Sequence, residues 1–175
     1  TLTSSPSISA TTPTVSGASA DPSGGTRKVG QSVTVTLTAS ESGLSKGASG
    51  STINGKNVSG SFQALDGAQY KFEYTVQEGD ADRAANALPI SLSLEDAAGN
   101  EVTHTTLANS PSIDADTPTV SSASASPTDG TRKVGESVVV TLTASEAGLA
   151  AGAAASTING VDVTSTFASD GTSGD

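Results

Sequence analysis

The sequence predicts an all-β fold: tandem antiparallel β-sandwiches, the second of them incomplete. Two observations carry this prediction. The first is a long internal repeat in the 175-residue chain. TPTVSGASADPSGGTRKVGQSVTVTLTASESGL, from Thr12, returns from Thr117 as TPTVSSASASPTDGTRKVGESVVVTLTASEAGL, an offset of 105 residues. The alignment runs without a gap from Thr1 and Thr106 to Phe62 and Phe167, with about two-thirds of positions identical. A period of that length is a whole domain rather than one turn of a solenoid. The second observation is strict alternation of apolar and polar residues, the period of a half-buried strand. No segment sustains a helical period.

The elements follow in order. Val15 opens strand A, over 13–20, which ends at the turn-forming ADPSGG. Val33, Val35 and Leu37 alternate with Thr34, Thr36 and Thr38 and define strand B, over 32–40. A short strand C, over 51–54, leads into Asn54-Gly55, a pair whose residues accept positive φ and so favour a tight turn. Strand D is placed over 57–65, before the turn at Asp66-Gly67. Tyr70, Phe72, Tyr74 and Val76 alternate with Lys71, Glu73 and Thr75 in strand E, over 69–77. Ile90, Leu92 and Leu94 mark strand F, over 88–95, and strand G follows over 101–108. About seven short strands per hundred residues is the arithmetic of an immunoglobulin-like sandwich. In the second copy, Val138, Val140 and Leu142 repeat strand B.

The repeat divides the chain into four parts. Residues 1–11 are the tail of a preceding repeat and a linker, 12–109 a complete unit, 110–117 a linker, and 118–175 a partial unit. The linker SPSIDADTP and its counterpart SPSISATTP carry prolines and small residues that favour an extended path. The sequence stops at the copy's turn after strand D. The second unit is therefore expected to leave apolar residues and sheet edges open, or to be covered by a strand from a neighbouring chain.

Composition narrows function. The formal charge is −10, with 18 acidic and 8 basic residues. That argues against nucleic acid, which needs a basic footprint. There is no cysteine, which excludes disulfides, thiolate metal sites and cysteine nucleophiles. No apolar run approaches the ~20 residues of a membrane-spanning helix. His104 is the only histidine and falls in strand G as an ordinary strand residue. No nucleophile elbow, P-loop, dinucleotide fingerprint or zinc-protease motif is present, so no enzymatic activity is expected.

The acids are the candidate site. If strands A, C, E and G run one way and B, D and F run back, the E–F loop QEGDADRA lies beside the exit linker. The loop holds Glu78, Asp80 and Asp82, the linker adds Asp114 and Asp116, and strand B of the second unit ends in Ser145-Glu146. Six carboxylates then converge on one interdomain seam, with Arg83 as the nearest counter-charge. Ca²⁺ takes six to eight oxygens, and such a seam supplies that chemistry. The plainer reading is a solvated acidic loop. A second, weaker candidate at the opposite end joins Glu41 to Asp96 and Asn100 of the turn EDAAGN. Its plainer reading is a hairpin turn in which Asp and Asn bond their own backbone. The first linker places Ser9 and Thr11 where the second has Asp114 and Asp116, which predicts weaker cation binding there.

The chain resembles the tandem bacterial immunoglobulin-like repeats of giant secreted adhesins, including RTX-type and biofilm-associated surface proteins. The resemblance lies in GTRKVGQSVTVTLTASE (25–41), FEYTVQEGDAD (72–82), LSLEDAAGN (92–100) and DADTPTV (114–120). It implies an extracellular, cell-surface stalk of many sandwiches, stiffened at its linkers by calcium in some members. For this chain it implies a structural extender whose partners are neighbouring repeats, with calcium at Glu78, Asp80, Asp82, Asp114, Asp116 and Glu146. The alternative expectation is a self-assembling filament subunit completed by strand donation from a like chain. A flat threonine array for carbohydrate or ice is interrupted in the second copy by Val139.

Overall fold

The computed structural model describes residues 8–169. They fall into two compact units, Thr1–Asp116 and Thr117–Asp175. The first contains β1 (Val15–Asp21), β2 (Thr26–Lys28), β3 (Ser32–Ala39), β4 (Ser45–Lys46), β5 (Thr52–Ile53), β6 (Lys56–Asn57), β7 (Gln63–Ala64), β8 (Gln69–Thr75), β9 (Ile90–Glu95), β10 (Glu101–His104) and β11 (Ser112–Asp114).

One sheet has the order β1-β3-β8-β7, and the other β10-β9-β5-β6 with β4 also paired to β9. Strands A, B, E and D thus share one sheet and C, F and G the other, the constant-type immunoglobulin arrangement. Val33, Val35 and Leu37 of β3 and Tyr70, Phe72 and Tyr74 of β8 are buried in one core with Ile53, Ile90, Leu92 and Leu94. The alternation in β3 and β8 selects these residues, since successive strand side chains point to opposite faces. Each fully buried large aliphatic side chain stabilises the fold by roughly 1.5–3 kcal/mol. Phe62 stacks on Tyr70, with ring centroids 6.0 Å apart.

Two regions differ from the sequence reading. The expected strand D, 57–65, is split. Asn54 (φ 52°) and Gly55 (φ 74°) turn the chain so that β6 pairs back onto β5. A 3-10 turn at Ser59–Ser61 then precedes β7, which joins β8 in the other sheet. The Asn57 side chain accepts the Ser59 N–H at 2.9 Å, and the Ser61 hydroxyl accepts the Glu73 N–H at 2.8 Å. Short polar side chains that bond nearby backbone favour this break over a continuous strand.

The second difference concerns residues 110–116, read as linker. They are extended as expected, but they belong to the first unit. Ser110, Pro111, Ile113 and Ala115 are buried. β11 pairs with β2 in parallel, Ser112 opposite Thr26 and Asp114 opposite Lys28.

In the second unit, β12 (Val120–Ser126) pairs with β13 (Val139–Ala144), and β14 (Thr157–Ile158) with β15 (Val161–Asp162). The register of β12 on β13 reproduces that of β1 on β3, including the irregularity near its start. Val140 and Leu142, the counterparts of buried Val35 and Leu37, are 40% and 54% exposed.

Candidate junction sites of the first sandwich

The exit segment is held on both sides. The Ser112 N–H donates to the Gly25 carbonyl at 2.9 Å. Ile113 and Arg83 exchange both backbone hydrogen bonds, at 2.9 and 3.0 Å. The Gly79 N–H donates to the Ala115 carbonyl at 3.0 Å, and the Ala115 N–H donates to Asp82 Oδ1 at 2.8 Å. The E–F loop and the exit segment therefore meet, as antiparallel strand directions require.

Asp80 sits at the centre of a polar network inside this end. Its Oδ2 accepts the Tyr74 hydroxyl at 2.7 Å and the Gln77 N–H at 2.9 Å, while Lys56 Nζ stands 2.7 Å from Oδ1. Asn54 donates to the Tyr74 hydroxyl at 3.1 Å and to the Ala81 carbonyl at 2.8 Å. Asn54 Oδ1 accepts the Arg83 Nε–H at 2.7 Å. Burial pushes the Asp80 carboxyl up, but Lys56, Tyr74 and Gln77 together hold it below the usual carboxylate range. Burial is also the main reason the Tyr74 hydroxyl is pushed up to about 12.

This arrangement bears directly on a cation. Calcium needs carboxylate and carbonyl oxygens free to face it. Both Asp80 oxygens are engaged from within the protein, and Asp82 has one oxygen on the Ala115 N–H. Asp80 therefore does not fit a first coordination shell in this structure. Glu78, Asp82 and Asp116 are exposed, and Asp114 is half-buried on β11. Glu146 lies in the second unit, exposed beyond the end of β13. Among the described residues, no group of three or more Asp, Glu or His side chains is placed to hold a metal ion. The sequence carried no sign of Lys56 as the partner of Asp80, because nothing in chain order relates the β5–β6 hairpin to the E–F loop.

The other candidate is brought together. Glu41 and Asp96 line one open cleft of about 480 Å³, together with Ser9 and Gly43. The Tyr70 hydroxyl fixes the loop that carries Glu41: it donates to the Glu41 carbonyl and accepts the Leu44 N–H, both at 3.0 Å. Asp96 Oδ1 accepts the N–H groups of Ala98 and Asn100 at 2.9 and 2.8 Å, the local bonds of an Asx-type turn. Asn100 Nδ2 donates to Asp96 Oδ2 at 2.8 Å and lies 3.4 and 3.5 Å from the Ser9 and Thr11 carbonyls. The Asn100 side chain and backbone hold the Asp96 carboxyl below its ordinary range.

The first linker thus reaches this turn with backbone oxygens. The Ser9 hydroxyl adds a bond to Asp96 Oδ2 at 3.3 Å. Carbonyls are calcium ligands as carboxylates are. Both carbonyls face the Asn100 Nδ2 donor, however, and Asp96 is taken up by its own turn, the hairpin arrangement that was the plainer reading of this end. Comparison of the chain with known family models, characterised proteins and solved structures returns no match.

Proposed function

We propose that the chain is a run of structural extender repeats from an extracellular bacterial adhesin or surface filament, working through length and stiffness rather than chemistry. The observation behind this reading is the exit segment. Residues 110–115 leave the first sandwich as a docked strand bonded on both sides, not as a free tether. A strand pinned in this way passes force applied to the chain into the sandwich. The acidic balance and the repeat itself accord with an extended surface protein. Pulling the full chain by its ends tests the proposal. A cooperative unfolding event for the first unit supports it, and smooth extension without one overturns it.

Calcium belongs to the same proposal, with two changes from the sequence reading. Asp80 is assigned to the fold, and at the other end Asp96 and the Ser9 and Thr11 carbonyls are likewise engaged within the protein, so neither end is preferred. Ion binding to the folded state alone stabilises by about 2.7 kcal/mol at a hundredfold excess over Kd. Melting with calcium and with EDTA checks this, and identical curves remove calcium from the proposal. The alternative reading is that a strand patterned like β8 from a like chain covers β13 at the exposed Val138, Val140 and Leu142, whose exposure accords equally with a longer array. Concentration-dependent polymers would support that reading.

A further inference from the structure

The residues that close the first sandwich occur twice. Residues 110–115 read Ser-Pro-Ser-Ile-Asp-Ala, and residues 5–10 read Ser-Pro-Ser-Ile-Ser-Ala. The two differ only at Asp114 and Ser9. Their surroundings are opposite. Ile113 is 3% exposed and Ala115 fully buried, whereas Ile8 is 88% exposed and Ala10 is exposed. A single exposed isoleucine needs no explanation. One whose sequence twin has a built seat does.

The seat reads backbone and size. Backbone bonds from Gly25 and Arg83 run along the two sides of residues 112 and 113, and Asn86 adds bonds to both backbone groups of Ser110. Ile113 and Ala115 supply the apolar anchors, joining the core cluster. The one residue that differs, Asp114, is half-buried, and its side chain takes no part in the bonds from Gly25, Arg83 and Asn86.

The first linker is also two-faced. Ser9 contacts Asp96 and Asn100 of the first sandwich, and the Thr11 carbonyl faces Asn100. Ile8 and Ala10, at alternate positions, remain exposed. In an extended segment, alternate side chains face opposite ways. One face is already engaged, and the other carries the residues that fill the seat at 113 and 115.

We propose that residues 8–10 dock as a strand, and that their partner is another sandwich of this repeat type. That sandwich receives them between its copy of β2 and its copy of the 81–83 loop, as the first unit receives residues 110–115. The inference does not depend on the repeats serving as extenders.

The test uses the folded full chain. A protease site inserted between Ala108 and Asn109, both exposed in the loop after β10, allows the chain to be cut after folding. The exit segment then becomes a separable ligand of the first sandwich. A synthetic peptide of residues 1–11 is titrated into the cut protein while the amide signals of Thr26, Arg27 and Arg83 are followed. The expected result is saturable displacement at those amides, with an Ile8→Asp peptide roughly 100-fold weaker. If the halves separate on cutting, the same peptide should bind the vacated seat. No response at those amides, or equal response to the Ile8→Asp peptide, overturns the proposal in either case.

Discussion

Asp80→Asn separates a structural carboxylate from a cation ligand. In the native protein Asp80 accepts two short hydrogen bonds, from Tyr74 and Gln77, and faces Lys56 at 2.7 Å. An asparagine oxygen still accepts both bonds, but without charge. A hydrogen bond to a charged group contributes about 1.5–3 kcal/mol and a neutral one about 1 kcal/mol, so each bond weakens by about 1 kcal/mol. Lys56 is 54% exposed and turns to water, so the lost ion pair adds no more than about 1 kcal/mol. The expected loss is therefore about 2–3 kcal/mol, or roughly 10 °C in Tm for a unit of this size. The assay is built into the sequence. Both tyrosines, Tyr70 and Tyr74, lie in the first unit and the chain has no tryptophan, so the tyrosine band of the near-ultraviolet circular dichroism follows that unit. The drop is expected in EDTA as in calcium. Equal melting of the two proteins in EDTA, with a difference only in calcium, would refute the reasoning and return Asp80 to the cation.

Other predictions follow from the same coordinates. Ile113→Ala should cost about 2–4 kcal/mol in the near-ultraviolet melt, while Ile8→Ala, at an exposed copy of the same residue, should leave it unchanged. Gly47→Ala should destabilise by about 1–3 kcal/mol, because a Cβ there would stand 2.6 Å from Ser93 Cβ and 2.5 Å from Glu101 Oε1; Gly152→Ala, with nothing within 4 Å, should be neutral. Asp80 and Asp96 have folded values below those of the unfolded chain, so their contribution is complete above about pH 4 and disappears as pH falls through the folded values. Tyr74 has the opposite sense. Its raised value means that stability is full below about pH 10 and declines as pH rises toward about 12, which a pH series of denaturant midpoints will register.

The strands that were legible in the sequence share one property: each spans several alternations. β3, β8 and β9 repeat their apolar residues three or more times, and the pattern fixes the inward face before any partner is known. Asn54-Gly55 was legible as a turn because positive φ is a local requirement. The two-residue strands β4, β6 and β7 were not separately legible, since a single alternation carries no period. The split of strand D depended on whether Lys56 and Asn57 paired with β5 or crossed to β8, a choice between distant partners.

For the candidate sites, chain order supplied the acids, and antiparallel logic put the E–F loop beside the exit segment, where the two meet. It could not supply their partners. Lys56 reaches Asp80 because the β5–β6 hairpin packs beside the E–F loop, and Asn100 meets the Ser9 and Thr11 carbonyls across 91 and 89 positions of chain. The sequence by itself determined that sandwiches repeat every 105 residues, which faces of their long strands are apolar, and where charge accumulates. The tertiary structure alone decided that residues 110–115 complete the first sandwich. Their short run, mostly of small residues with one proline, has no period and looks like a spacer. It becomes a strand only when β2 on one side and Arg83 on the other satisfy its backbone groups.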